Sequence, residues 1–267
     1  MTVRQRTSDR ELRYTSAPQR REEILRRMRG TGYVSAPELS VELAVSERTV
    51  RRDLQKLAEQ GLVDLVYGGA LAPTGVAPGS PFLTRVQAQY AQKRAIANQA
   101  LQLVEPGATI GIDAGTTTLE MARLLPPGSD VTVVTHSLPA MGAVGERDDL
   151  TLIGLGGLLH PSTQTFTGPD TITTISRLRV HTFFLAASGL GPDGAYCSSP
   201  LDAEAKRAFI GIAERVVLLT DSSKLRQIAP VPICDYGRLD ALITDDAITD
   251  ADRTRLASRT RLLIAAG

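Results

Sequence analysis

Seven short apolar runs along the C-terminal part of the chain constrain its fold more than any other feature: Thr109–Ile112, Val131–Val134, Leu150–Ile153, Thr182–Ala186, Val216–Leu219, Ala241–Ile243 and Leu262–Ile264. Each is too short for a helix, and several are apolar throughout, as strands buried on both faces are. Helical segments fall between most of them. That alternation predicts an α/β domain on a mostly parallel sheet. Loops after the strands of such a sheet gather along one edge, and ligands bind there. No internal repeat of 20–50 residues is evident.

The first part of the chain is organised differently. Residues 1–18 lack periodicity and are expected to form a disordered tail. From Gln19 the pattern is helical, with Ile24, Leu25 and Met28 on one face, and Gly30 and Gly32 are expected to end it. Ser35-Ala36-Pro37-Glu38 reads as a helix start, with serine as cap, proline in the first turn and glutamate three residues on. Ser46 is a natural cap for a third helix over 47–60, whose Val50, Leu54, Leu57 and Ala58 recur on one side. Leu62–Tyr67 reads as a strand and Gly68-Gly69 as a tight turn. Residues 72–88 carry Pro73, Gly75, Pro78, Gly79 and Pro81, a linker composition, and a helix over 89–104 opens the second domain. The domains expected are thus a tail (1–18), a winged helix-turn-helix (19–71), a linker (72–88) and an effector-sensing, oligomerising domain (89–267).

With Val50 and Leu54 in a core, Arg48, Arg51, Arg52 and Gln55 project outward. Arginines at the start of a helix suit the major groove, where they chelate guanine or neutralise phosphate. Ser46 and Thr49 can donate to phosphate oxygens beside the free amides of the first turn. The same arginines also suit a solvated face, with Asp53 paired to one of them. Residues 1–70 carry a net charge of +3 and the remainder −2, a basic end on a slightly acidic body.

In the second domain a strand ends at Asp113, and Gly115-Thr116-Thr117-Thr118 opens a helix. Backbone amides and hydroxyls converge there at the positive end of a helix dipole, which favours an anion. Plain N-capping by Thr116 is the simpler alternative. Thr135-His136-Ser137 repeats the arrangement after the next strand, although a lone loop histidine is often incidental. Asp202 and Lys206, four apart, read first as a surface ion pair. Lys224, in Asp221-Ser222-Ser223-Lys224, suits either phosphate contact or solvent.

Several classes are excluded or disfavoured. No run of about 18 apolar residues exists to span a membrane. The Arg-rich, polar N-terminus is neither signal peptide nor anchor. Cys197 and Cys234 form no close pair, so a reducing, cytoplasmic setting is expected. His136, His160 and His181 are scattered without metal-ligand spacing, so neither a metal site nor a cofactor is expected.

Arg21–Leu25, Gly32-Tyr33-Val34, Glu38-Leu39, Val45–Leu54, Gly61-Leu62 and Tyr67–Ala70 together resemble the DeoR family of bacterial regulators. So do Asp113–Thr117, Val133–Ser137, Gly156-Gly157, Gly168, Ala203–Lys206 and Asp221–Lys224; the resemblance spans about residues 20–245. It implies that the first segment is a winged helix-turn-helix with its recognition helix after Ser46. It implies a second domain similar in fold to ribose-5-phosphate isomerase and CoA transferases, and a sugar-phosphate effector that releases a repressor. The chain departs from the family at three points. No basic residue stands in Leu65-Val66-Tyr67 just before Gly68-Gly69, so wing contact with phosphate is either weaker or carried by Tyr67. His136 stands where asparagine is usual, and His160 where arginine is frequent after Gly-Gly.

The function expected is sequence-specific binding of double-stranded operator DNA. Its reading set is Ser46, Arg48, Thr49, Arg51, Arg52, Gln55 and Tyr67. A phosphorylated sugar or polyol is expected at Asp113, Gly115, Thr116, Thr117, Thr118, Thr135, His136, Ser137, Lys206 and Lys224. The chain is expected to act as a dimer or tetramer. The competing class is a sugar-phosphate isomerase-like enzyme with a DNA-binding head. Sugar acid–base chemistry needs a carboxylate over the reacting carbons, and Phe183–Leu190, after a central strand, has none; Asp193 arrives later. No catalytic residue is therefore assigned.

Overall fold

The computed structural model of the chain describes residues 16–31, 33–66, 68–71 and 82–266. It divides into two units, each with its own core.

In the N-terminal unit, helix α1 (Ala17–Thr31) starts before the expected Gln19, because Pro18 is tolerated in a first turn whose N–H groups have no helical partner. Ala17 and Pro18 therefore belong to the helix rather than to the tail. Residues 1–15 of that tail lie outside the described residues. The helix also runs through Gly30, where a stop was expected. Strand β1 (Tyr33–Ser35), too short to show a periodicity, was not foreseen. Ser35 caps α2 (Ala36–Glu42), its side chain accepting from the Glu38 amide. Ser46 caps α3 (Glu47–Glu59), accepting from the Thr49 amide. β2 (Asp64–Val66) and β3 (Gly69–Leu71) form an antiparallel hairpin, and β1 joins the free side of β3. The strand expected over 62–67 is shorter, and Tyr67 lies outside the described residues. Gly68 turns at φ +86°. Gly69 allows the close approach of the Val34 carbonyl, which any Cβ would strike. Ile24, Met28, Leu39, Val50, Leu54 and Leu57 form the core.

Residues 72–81 lie outside the described residues. Phe82–Gln87, read from sequence as linker, is instead a helix, α4. The glycines and prolines that suggested a linker stop at Pro81, and the six residues after it contain neither.

The second unit opens with α5 (Tyr90–Leu101) and continues through β4 (Thr109–Ile112), α6 (Thr116–Leu124), β5 (Thr132–Thr135), α7 (Leu138–Gly145) and β6 (Thr151–Gly154). A hairpin, β7 (Leu158–His160) with β8 (Thr165–Thr167), and helix α8 (Pro169–Ser176) lead to β9 (Val180–Ala186). Then come β10 (Gly189–Leu190), β11 (Gly194–Cys197), α9 (Pro200–Ile212), β12 (Ala213–Leu219), β13 (Val231–Asp235), β14 (Ala241–Asp245), α10 (Asp250–Ala257) and β15 (Leu262–Ala265). All seven apolar runs became strands of one sheet, in the order β15-β14-β12-β9-β4-β5-β6, with every pair parallel. The hairpin and the small antiparallel sheet β10-β11-β13 were not anticipated.

Strand order positions the site. From β4 the chain steps outward through β5 and β6; from β9 it steps the opposite way through β12, β14 and β15. The winding reverses between β4 and β9, and in open α/β sheets the crevice at the carboxyl ends of such a pair takes ligands. Helix α9 lies against this part of the sheet, its Phe209 ring stacked on Phe183 of β9 at 4.6 Å and 5°. No helix among the described residues is long and apolar enough to cross a membrane.

Candidate functional site

On α3, Val50, Leu54 and Leu57 face the core, while Arg48, Arg51, Arg52 and Gln55 are exposed. Asp53 does not face solvent with them. Its carboxylate is buried, accepts from Arg20 Nε at 2.6 Å and lies 3.8 Å from Arg21 Nε. The buried pair locks α1 to α3 and leaves the α3 arginines outside it. Of these, Arg51 lies 3.2 Å from Glu47, both largely exposed, a weak contact in water. Ser46 Oγ and Thr49 Oγ1 are 2.9 Å apart at the exposed start of the helix. Six of the seven residues read as DNA-facing thus fall on or beside one exposed helix start.

In the second unit, Asp113 follows β4 at the point where the winding reverses. Its Oδ1 accepts from the Ala114 amide and its Oδ2 from the Ala186 amide at the end of β9, both at 2.8 Å. Lys206 Nζ from α9 donates to the same Oδ2 and lies 3.5 Å from Asp202 Oδ2. The reading of Asp202 and Lys206 as a surface pair is overturned: Lys206 is 2% exposed. Lys206 lies one turn beyond Asp202, on the same side of α9 as the buried Ala203 and Phe209, which carries it over the sheet. Burial alone would push the Lys206 ammonium down, but the Asp113 and Asp202 carboxylates outweigh it and hold its pKa well above the usual lysine value. Lys206 is a fixed cation.

His136 follows β5, fully buried, its ring 5.5 Å from Phe209 and its Nε2 3.6 Å from Asp113 Oδ1. Burial pushes its pKa below the ordinary histidine value, against the raising influence of Asp113 and Asp202, so the ring is neutral at neutral pH. Neither ring nitrogen has a hydrogen-bond partner, and Thr116 Oγ1, Asp202 Oδ1 and Thr220 Oγ1 are likewise buried and unpartnered. Buried polar groups are nearly always satisfied, so a cluster of orphans calls for an explanation. One donor atom each from Asp113, His136 and Asp202 lie within 4.8 Å of one another.

Several other expected site residues are bonded within the fold. Thr118 Oγ1 donates within its own turn, near the Asp113 and Gly115 carbonyls, and accepts from the Gly115 amide. Gly115 has no room for a Cβ beside Ala186. Thr135 Oγ1 donates to the Ile112 carbonyl and accepts from the Ser137 amide, and Ser137 caps α7. Thr116 and Thr117 stand in the first turn of α6, where the amides have no helical partner. Lys224 Nζ reaches the Ala187 carbonyl at 3.4 Å and lies 3.8 Å from Asp221. The Ala186-Ala187 backbone at the end of β9 thus touches both Asp113 and Lys224. Asp202 and Thr220 were not singled out from sequence as ligand-facing, and the unpartnered state of Asp202 Oδ1 and Thr220 Oγ1 depends on tertiary placement.

Residues 20–75 match the DeoR-like helix-turn-helix domain, and residues 88–246 match the DeoR C terminal sensor domain. Among curated proteins, the chain is 32% identical to the glycerol-3-phosphate regulon repressor of Escherichia coli strain K12, over 85% of this chain and 90% of that one. It is 33% identical to the L-fucose operon activator of Haemophilus influenzae, over 86% and 93%. Among solved structures, ribose 5-phosphate isomerase A from Methanocaldococcus jannaschii matches 50% of this chain and 53% of its own at 20% identity, with a TM-score of 0.36. The curated relatives are named as regulators of transcription, which decides between regulator and enzyme, and the chain belongs to the DeoR family of DNA-binding transcriptional regulators.

Proposed function

We propose that the chain represses genes of carbohydrate metabolism and leaves its operator when a phosphorylated sugar or polyol binds its sensor domain. The observation that carries this reading is the set of unpartnered polar atoms at the winding reversal, beside the open first turn of α6. The first-turn amides of Thr116 and Thr117, the Thr116 hydroxyl and the Lys224 ammonium supply what a phosphate needs. Asp113, held in place by Lys206, together with His136 and Asp202 supplies acceptors and a neutral imidazole for hydroxyl groups. Residues 19–71 act as the DNA-reading head and 89–267 as the sensing and oligomerising part. The names of the relatives, a regulon repressor for glycerol 3-phosphate and an activator for an L-fucose operon, support carbohydrate control.

The test is a thermal-shift screen of phosphorylated sugars and polyols, followed by operator binding with and without any hit. A ligand present at 100 times its Kd stabilises the folded state by about 2.7 kcal/mol. A hit that weakens operator binding supports the reading. No hit, or tighter operator binding with the ligand, overturns it.

A further inference from the structure

The constellation around His136 holds more ligating capacity than its own hydrogen bonds use. Lys206 engages Oδ2 of both Asp113 and Asp202. Asp202 Oδ1 and both nitrogens of His136 are left without partners and closed off from solvent. Two carboxylates against one ammonium leave one negative charge in excess. The neutral imidazole adds a nitrogen donor rather than a charge.

We infer that Asp113, His136 and Asp202 form a binding site for a divalent transition-metal ion of the zinc or manganese type. Donors on one tetrahedral zinc ion, each about 2.0–2.1 Å from it, stand about 3.4 Å apart. A triangle no wider than 4.8 Å closes on one ion when each donor moves by at most about 0.8 Å. Imidazole nitrogen with carboxylate oxygen selects this class over calcium or magnesium, which take oxygen ligands alone. The site is assembled from three separate elements: the end of β4, the end of β5 and the first turn of α9. Metal-ligand spacing cannot be read along the chain when the donors lie at 113, 136 and 202, which is why the sequence showed no metal motif.

The Ala114 amide fixes Asp113 Oδ1, and Phe209 flanks the imidazole. The donors are therefore largely preorganised, and the ion adds a cross-link beside the winding reversal. The ion competes for the three side chains to which the proposed function gives the sugar hydroxyls, and a titration without sugar phosphate tests the site apart from that reading.

The experiment uses the full chain, freed of metal with a chelator and titrated at pH 7.5 by calorimetry with ZnCl2 and, separately, MnCl2. No sugar phosphate is present. One zinc or manganese ion per chain should bind with a micromolar or lower Kd. Asp202→Asn, which keeps the size of a half-buried side chain, and His136→Gln should each weaken binding at least tenfold. Circular dichroism checks that both variants are folded; if His136→Gln is not, Asp202→Asn decides alone. Affinity unchanged in the folded variants places the ion elsewhere, for instance on Cys197 or Cys234, and overturns the site. So does no binding up to millimolar metal, or binding of calcium or magnesium in preference. A positive sugar-phosphate screen together with a negative metal titration removes this site and leaves the effector reading intact.

Discussion

At the scale of single residues, the Asp113–Lys206 pair shows how burial changes the meaning of a charge. Removing one partner of a buried pair typically costs about 3–5 kcal/mol, because the other charge is left without compensation. Asp113→Ala should therefore lower stability by about that much in urea denaturation, and its loss of effector response would not isolate ligand contact. Thr116→Val is the cleaner probe, because the hydroxyl it removes has no partner in the fold. It should leave the unfolding free energy within about 0.5 kcal/mol of wild type and still weaken sugar-phosphate binding. Unchanged affinity by calorimetry would exclude Thr116 from the site. In the head, Glu23 is held at a pKa of about 2, below its ordinary 4.5, first by its hydrogen bonds with Arg26 and, against the cost of burial, also by Arg27. A lowered folded-state pKa contributes stability above the unfolded value, and that contribution fades as pH falls through the folded one. The stability gap between wild type and Glu23→Gln should accordingly be full at pH 6 and narrow progressively from about 4.5 towards 2. A gap that does not change with pH would show that these ion pairs contribute nothing.

At the scale of elements, helix α3 is the element proposed to read DNA. Its amphipathic repeat puts Val50, Leu54 and Leu57 inside and so assigns Arg48, Arg51 and Arg52 to the outside. The role of Asp53 was not legible, because Arg20 lies 33 residues earlier and meets it only when α1 packs on α3. Alanine at an arginine that reads a base should cost about 1–3 kcal/mol and relax specificity at that position. Alanine at one that contacts phosphate should weaken all sites alike and flatten the salt dependence. Titrations on operator and random DNA at several salt concentrations separate the two. Wild-type behaviour from all three variants would move the reading face to another element. Ser46→Ala, which removes the cap of α3, should cost about 1 kcal/mol of stability in urea denaturation.

At the scale of the whole molecule, one winged head buries little DNA, and specific regulators generally place two heads on two half-sites. Heads joined to their bodies by a glycine- and proline-rich segment need a second contact to fix their spacing. The sensor domain should therefore associate, and the full chain and residues 85–267 should both scatter light as a dimer or larger at micromolar concentration. A monomeric 85–267 fragment would refute this. A phosphorylated sugar changes DNA affinity only insofar as it binds two arrangements of the assembly unequally. A tenfold loss of operator affinity with ligand corresponds to about 1.4 kcal/mol of coupling.

What the sequence determined by itself was local. Short apolar runs, caps at Ser35 and Ser46, and glycines at turns set the type and order of most elements, because burial periodicity and capping act over a few residues. The parallel sheet followed from alternation alone. Only the tertiary structure decided that β4 and β9 are neighbours, that Lys206 lies buried on Asp113 rather than on the surface, and that donor atoms of His136 and Asp202 come within 4.8 Å of each other. It also decided that the hydroxyls of Thr118, Thr135 and Ser137 are bonded within the fold. Such facts depend on contacts between residues tens of positions apart. Residue type there shows what a side chain can do, and the packing of distant elements selects which of those possibilities is used.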